Sequence, residues 1–252
     1  MRRTNTTRLR IDHILCAAAG IVMLAGCSDS TEPTSSAPPV AVNRVVLIGD
    51  SLGEQTEPYL ATMVGDREFS AQVFGGTAPC DWLGKDLTVT ATSVAVITFT
   101  GNSGTDCMSD GAGGFLSGQA LLDKYRSDIT ALVAQVRASG AQVLMVGQPQ
   151  RLGGTGADME VAGLNEFYAG LAEPGAVSFI DAGAAVEDAN GAFTLRLPCL
   201  PNEPDCAPDG SIAVRSEDGV HFCSNDADPN CAGYSSGAFR FTAAIVTALD
   251  TL

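Results

Sequence analysis

The sequence is poor in histidine and in basic residues. Only two histidines, His13 and His221, occur among 252 residues, and 14 Lys and Arg stand against 29 Asp and Glu, a net charge of −15. This charge argues against nucleic acid or an anionic membrane surface as a partner. A zinc site is also disfavoured, because there is no Cys-x-x-Cys motif and His13 lies in a segment that we expect to be removed. We therefore expect no metal and no cofactor.

No apolar run is long enough to span a bilayer, and the longest one, residues 14–24, follows an arginine-rich start. It leads into Leu-Ala-Gly-Cys at residues 24–27, a small-residue cleavage site that ends in cysteine. This pattern is typical of a lipoprotein signal, with Cys27 as the acylated first residue. The alternative is an ordinary signal peptide in which Cys27 is coincidental.

Three segments follow from this reading. We expect a lipoprotein signal peptide at residues 1–26, a Ser/Thr/Pro-rich tether at 27–43 and a folded domain at 44–252. The protein would be exported and attached to the membrane by the lipid on Cys27, which would be its only membrane contact. The folded domain would face the periplasm or the cell exterior.

Six cysteines remain in the expected folded domain, an even number that indicates disulfide bonds in an exported chain. Cysteines that are close in sequence are expected to pair, and two such pairs would each close a short loop with a disulfide. The other two cysteines would then join two loops that are farther apart in the sequence. The disulfide candidates are therefore Cys199 with Cys206, Cys223 with Cys231, and Cys80 with Cys107.

Short apolar runs alternate with amphipathic segments along the folded part. Strands are predicted at residues 45–48, 69–74, 94–100, 143–146 and 177–180, and helices at 54–64, 119–139, 159–171 and 238–249. Strands that alternate with helices form a parallel sheet covered on both faces. We therefore predict an α/β fold, a flavodoxin-like three-layer α/β/α sandwich with a mostly parallel five-stranded sheet. Residues 182–216 are expected to be irregular, apart from a short hairpin around 193–197.

The first predicted strand ends in Gly-Asp-Ser-Leu at residues 49–52, which places Ser51 at the carboxyl edge of the sheet, where functional loops gather. Far along the chain, Asp218 precedes His221 by three residues, and Gly219 lets the backbone bend back between them. A serine nucleophile needs a base near neutral pKa and an acid that fixes the tautomer of that base. A lone histidine is more often structural, but this combination favours a catalytic triad.

These motifs resemble those of the SGNH hydrolase superfamily, also called the GDSL esterases/lipases. Residues 49–52 match its first sequence block and residues 218–221 match its last. The resemblance implies that Ser51 is the nucleophile, that His221 is the base and that Asp218 is its partner. It covers nearly the whole predicted domain, and the blocks occur in the family order.

The same resemblance implies an oxyanion hole. Its donors would be the N–H of Ser51, the N–H of Gly75 or Gly76 after the second strand, and the side-chain amide of Asn102 after the third. The third block usually reads Gly-x-Asn-Asp, whereas residues 100–103 are Thr-Gly-Asn-Ser, so the asparagine is kept with different flanks. A disulfide between the cysteines that follow these donors would tie the two oxyanion loops together.

The implied activity is that of an extracytoplasmic serine esterase that hydrolyses O-acyl (carboxylic) esters through an acyl-serine intermediate. The expected partner is a small-molecule or glycan ester. Its expected source is the acyl esters of cell-envelope glycans, or lipidic esters. The protein is expected to be a monomer. Two alternatives stay open. The same triad would serve an O-acyltransferase if a sugar hydroxyl replaced water, or the chain would be a non-catalytic glycan-binding protein that kept the fold.

Overall fold

The computed structural model describes residues 42–153, 157–224 and 231–252. The predicted signal peptide, Cys27 and nearly all of the predicted tether lie outside the described residues, so these assignments stay predictions. Within the described ranges, no helix combines the length and the apolar character that crossing a membrane requires.

The central sheet has five strands in the order β2-β1-β3-β4-β5, and every neighbouring pair is parallel. The strands are β1 (Arg44–Gly49), β2 (Glu68–Val73), β3 (Ser93–Thr98), β4 (Gln142–Val146) and β5 (Val177–Ile180). The central strands β1, β3 and β4 are buried almost throughout, as their continuous apolar runs require when helices cover both faces. The predicted α/β fold with a five-stranded sheet is confirmed.

Four helices cover the two faces of the sheet. They are α1 (Ser51–Met63), α2 (Gly118–Arg137), α3 (Ala157–Gly170) and α4 (Ser236–Leu249). Alternation along β1 divides its side chains between two cores. Val46 and Ile48 pack in the core that contains Leu132 of α2, whereas Leu47 packs in the core that contains Phe241 of α4. These two cores make the three layers.

Helix α1 begins three residues before the predicted start at residue 54. Asp50 is the reason, because it caps the helix: its Oδ1 accepts the N–H of Leu52 at 3.2 Å, and its carbonyl accepts the N–H of Glu54 at 3.0 Å. Ser51 is therefore the first residue of the helix and not part of a loop.

The predicted hairpin around residues 193–197 is wrong. The structure instead pairs β6 (Arg196–Pro198) antiparallel with β7 (Ser211–Ala213). The disulfide of Cys199 and Cys206 closes the first part of the segment between these strands. A tight turn, in which the N–H of Gly210 donates to the carbonyl of Ala207 at 2.9 Å, then leads into β7. The local signal that could have located the pairing is the Pro-Asp-Gly turn motif at residues 208–210.

Gly237, in the first turn of α4, packs directly on the backbone that follows β7. A Cβ at this position would lie 2.0 Å from the carbonyl oxygen of Val214. We expect Gly237→Ala to lower the free energy of unfolding by about 3 kcal/mol, because α4 must shift to relieve the overlap. Urea denaturation measures the change.

The matched control is Gly170→Ala, in the last turn of α3, where a Cβ meets nothing within 4 Å. This substitution should leave the free energy of unfolding unchanged or raise it by up to about 1 kcal/mol. Equal losses in the two variants would contradict the steric explanation.

Candidate active site

The strand-to-helix junction between β1 and α1 positions Ser51. Gly49 ends β1 so close to β3 that a Cβ would lie 2.3 Å from the carbonyl oxygen of Thr98, which explains why glycine stands there. Ser51 follows at the carboxyl edge of the sheet, mostly buried but with its hydroxyl directed at the loop that carries His221.

Ser51, His221 and Asp218 form a continuous hydrogen-bonded chain. Nε2 of His221 lies 2.8 Å from Oγ of Ser51, and Nδ1 lies 2.8 Å from Oδ2 of Asp218. The serine and the histidine are 170 residues apart in the sequence. The structure thus brings the sequence-predicted nucleophile, base and acid together in an order that allows a proton to pass from the hydroxyl to the ring.

The Asp218 carboxylate is fixed by its own turn. Its Oδ1 accepts the N–H of Val220 at 2.8 Å and the N–H of His221 at 2.9 Å, and Gly219 between them has a φ of +77°. Burial raises the pKa of Asp218, but these two N–H groups and the imidazole outweigh it, so that the pKa lies below its ordinary value. Asp218 is therefore a carboxylate at neutral pH, free to accept the Nδ1 hydrogen.

Of the two glycines predicted for the oxyanion hole, Gly75 lies against Ser51. A Cβ on Gly75 would be 3.7 Å from the Cβ of Ser51 and 2.9 Å from Oε2 of Glu54, whereas the equivalent position on Gly76 is open. Gly76 has a φ of +76° and serves the turn that follows β2.

Asn102 reaches the site, but both hydrogens of its amide already have acceptors. Nδ2 donates to Oδ2 of Asp50 at 3.0 Å and to the carbonyl oxygen of Thr77 at 3.2 Å. The amide therefore connects Asp50, the residue before Ser51, to the loop that carries Gly75. It is not a free oxyanion donor in this structure, and it would have to exchange the Thr77 carbonyl for the oxyanion to become one.

Most of the chain matches one family of proteins. The model of a family described as "Protein of unknown function (DUF459)" matches residues 44–228, which is most of the chain. The chain belongs to the DUF459 family. No curated protein sequence matches it.

Solved structures resemble this DUF459 chain in fold. A GDSL-like lipase from Bacteroides thetaiotaomicron shares 15% identity at a TM-score of 0.51, over 83% of this chain and 88% of the other. An acetyl-xylooligosaccharide esterase from a Geobacillus species shares 12% identity at a TM-score of 0.53, over 83% and 94% of the two chains. These likenesses show the fold, and it is the predicted three-layer α/β/α sandwich.

Sequence reasoning missed the part that Asp50 plays in the candidate active site of this DUF459 protein. This side chain is fully buried and accepts the N–H of Thr100 at 2.7 Å, besides the N–H of Leu52 and the amide of Asn102. Burial raises the pKa of Asp50 to about 7, against the opposing effects of the Thr100 N–H and the Arg151 guanidinium. The available signal was the position of an aspartate directly before a helix.

Asp50 makes the stability of this DUF459 member depend on pH. Its native pKa of about 7 lies above the ordinary 3.8, so the native state keeps a proton that the unfolded chain releases between these values. The free energy of unfolding should therefore fall as the pH rises from about 4 to about 7, by on the order of 4 kcal/mol. Asp50→Asn should flatten this slope, which urea denaturation at a series of pH values measures.

Glu203→Gln is the control for this prediction. Burial raises the pKa of Glu203, but hydrogen bonds from Arg240 and Ser236 outweigh it and hold the pKa at about 2. The stabilisation by Glu203 is lost as the pH falls through the ordinary pKa of 4.5 toward 2, so its removal should leave the slope between about pH 5 and 7 nearly intact. A slope that survives in Asp50→Asn would contradict the prediction.

The described part of the chain contains three disulfides, and they are the predicted pairs. Cys199 pairs with Cys206, Cys223 with Cys231, and Cys80 with Cys107. The last pair joins the loop after β2 to the loop after β3, so it links the two loops that carry Gly75 and Asn102. In the described part of the chain, the one cluster with ligands suited to a metal consists of this pair and Asp81. Both of its sulfur atoms are bonded to each other, which leaves no thiolate for a metal.

Proposed function

We propose that this protein is a serine esterase that hydrolyses carboxylic O-acyl esters through an acyl-serine intermediate. The observation that carries the proposal is the hydrogen-bonded chain from Ser51 through His221 to Asp218, with both contacts at 2.8 Å. An SGNH-type fold, shared with a solved lipase and a solved esterase, supports it.

The proposed reaction begins when Nε2 of His221 takes the hydroxyl proton of Ser51 as Oγ attacks the acyl carbonyl carbon. Asp218 stabilises the imidazolium that forms. The ring then gives the proton to the departing alcohol as the carbon–oxygen ester bond breaks, which leaves an acyl-serine. A water molecule, activated by the same ring, attacks this ester and releases the carboxylic acid and free Ser51.

The oxyanion would form at the amino terminus of α1. The N–H of Ser51 lies in the first helical turn, where backbone donors lack partners within the helix and the helix dipole favours negative charge. We propose the N–H of Gly75 as the second donor. The Asn102 amide would be the third, once the developing charge replaces its contact with the Thr77 carbonyl.

Asn102→Ala tests the third donor. Loss of one oxyanion donor should lower kcat by about 10²–10³-fold with little change in KM, because the hydrogen bond forms only in the transition state. Steady-state kinetics with p-nitrophenyl acetate give both constants.

Asn165→Ala is the control for the asparagine prediction, because the amide of Asn165 also makes two hydrogen bonds, both to the backbone of Gln148. It should reduce thermal stability and leave kcat within a few fold. Equal losses of kcat in the two variants would argue against an oxyanion role for Asn102.

We propose O-acyl esters of cell-envelope glycans, or lipidic esters, as the substrates. The triad lies at the surface: the side chain of Asp218 is 41% exposed and that of His221 is 18% exposed. A bulky alcohol, such as a sugar chain, can therefore remain outside while its acyl group reaches Ser51. The three disulfides support an oxidising compartment outside the cytoplasm, and attachment through Cys27 is part of this proposal.

Trapping with a fluorophosphonate tests the esterase directly. The reagent should add one phosphonyl group, and peptide mass spectrometry should locate it on Ser51, while the untreated protein hydrolyses p-nitrophenyl acetate. Neither adduct nor hydrolysis would overturn the proposal and favour the non-catalytic alternative. Acyl groups that appear on an added glycan, in place of free acid, would instead favour the O-acyltransferase.

A further inference from the structure

His221 lies on a turn, residues 216–223, that we call the histidine turn. The N–H of Ser216 donates to the carbonyl of His221 at 2.7 Å and closes the turn on itself. Two buried side chains, Gln55 and Arg215, bind its backbone on either side of the imidazole. Neither belongs to the sequence blocks that identify the triad.

Gln55 binds the residues that follow the histidine. Its Oε1 accepts the N–H of Phe222 at 2.8 Å, and its Nε2 donates to the carbonyl of Cys223 at 3.3 Å. Gln55 is fully buried on α1, four residues after Ser51 and so on the same face of that helix. The helix fixes the distance from Gln55 to Ser51, and the hydrogen bonds fix the distance from Gln55 to His221.

Arg215 binds the residues that precede the histidine. Its Nη2 donates to the carbonyl of Val220 at 2.6 Å, and its Nη1 donates to the carbonyl of Gln150 at 2.8 Å. The guanidinium also lies 5.2 Å from the ring centre of Phe193 and 5.9 Å from that of Phe222. The histidine turn is thereby joined to the loop after β4.

The environment of Arg215 is unusual for a cation. The residue is 3% exposed, and within the described ranges it forms no ion pair with a carboxylate. Burial lowers the pKa of Arg215 to about 10, so the side chain is still charged at neutral pH. Its guanidinium donates only to carbonyls, and the carboxylates of Asp218 and Glu187 favour its charge from beyond ion-pair distance. A buried charge held in this way is unfavourable for stability compared with an apolar side chain of similar volume. Its place beside the triad therefore suggests a role in the geometry of the site.

We propose that Gln55 and Arg215 are positioning residues that together hold Nε2 of His221 at hydrogen-bond distance from Oγ of Ser51. This inference rests on the proposed esterase function. The carbonyl before the histidine and the N–H after it are both bound by side chains, so the backbone of His221 shifts relative to the serine only if one of these bonds breaks. The bond from Nδ1 to Asp218 fixes the orientation of the ring on that backbone. Neither positioning residue touches the reacting atoms.

Gln55→Leu and Arg215→Met test the inference, because each removes the hydrogen bonds and keeps much of the volume. Misplacement of a catalytic group by about 1 Å costs on the order of 10²-fold in rate, so kcat should fall by about 10–10²-fold while KM stays within about twofold. The rate at which a fluorophosphonate labels Ser51 should fall in parallel. Arg215→Lys, which keeps the charge but loses the planar fork, should restore part of the rate.

Arg240→Met is the matched control. The side chain of Arg240 is 9% exposed, and it binds Glu203 and the carbonyl of Pro198, away from the histidine turn. This variant should lose stability but keep the wild-type labelling rate, provided that each protein is assayed well below its melting temperature. Labelling at the wild-type rate in folded Gln55→Leu and Arg215→Met, or an equal loss in Arg240→Met, would overturn the inference.

Proton NMR distinguishes failure of this inference from failure of the proposed function. The Nδ1–H of His221, in its bond to Asp218, should give a strongly downfield resonance in the wild-type protein whether or not it is an enzyme. The resonance should shift or broaden in Gln55→Leu and Arg215→Met but not in Arg240→Met. A wild-type protein with this resonance but without labelling would refute the esterase alone, and an unchanged resonance in the two variants would refute the positioning role.

Discussion

Replacement of Ser51 by alanine should lower kcat/KM toward p-nitrophenyl acetate by about 10⁴–10⁶-fold. The change removes only the Oγ that attacks the carbonyl in the proposed mechanism. Alanine is the best helix former and Ser51 lies in the first turn of α1, so the melting temperature should change little. Activity assays and thermal unfolding on the same preparation separate the two effects.

Ser236→Ala provides a matched control for the serine prediction. Ser236 is also a buried serine at the first position of a helix, α4, but its hydroxyl binds Glu203 and not a histidine. The control should keep wild-type activity. A double variant, Ser51→Ala with His221→Ala, should be about as inactive as either single variant, because the two residues act as a unit. Substantial ester hydrolysis in Ser51→Ala would place the chemistry elsewhere.

Asp218→Asn should lower kcat by about 10⁴-fold, although the new side chain has nearly the same shape. The N–H groups of Val220 and His221 both point at Oδ1 of Asp218, so an asparagine must place its carbonyl oxygen there. Its NH₂ group then faces Nδ1 of the ring. The ring must accept a hydrogen bond at Nδ1 and carry its own proton on Nε2, which can no longer accept the proton of Ser51.

The pH–rate profile and the fluorophosphonate labelling rate of Asp218→Asn measure this effect. Asp209→Asn is the control, because Asp209 accepts similar bonds from Ser211 in an exposed loop outside the triad. Its kcat should equal that of the wild type. If Asp218→Asn retained most of its activity, the carboxylate would not be the partner of the histidine.

The sheet could be predicted because each of its central strands is a short, continuous apolar run that is recognisable from local sequence alone. Apolar runs such as residues 45–48 and 143–146 are buried on both faces, and a parallel sheet between helices requires that composition. No local pattern relates Ser51 to His221, which is 170 positions away. Their meeting could be predicted from the base and acid that a serine nucleophile needs, and from the resemblance to a family.

Other features depend on contacts that only the folded chain creates. The orientation of the Asn102 amide is set by Asp50 and Thr77, which are 52 and 25 residues away. Gln55 reads in the sequence as one polar position of an amphipathic helix, and its buried contacts with the histidine turn appear only after folding. The early start of α1 was hidden because Ser51 and Gly53 are weak helix formers whose placement depends on the Asp50 cap.

The exposed edge of the triad bears on the choice between hydrolysis and transfer. Since the described chain leaves the Asp218 side chain 41% exposed, solvent has direct access to the region beside His221. The acyl-serine would then face a kinetic competition between abundant water and any sugar hydroxyl that binds nearby. A transferase must win this competition by binding its acceptor tightly enough to displace water. We therefore expect most acyl groups to be released as free acid. The fraction transferred to a sugar hydroxyl should rise only as the acceptor concentration rises.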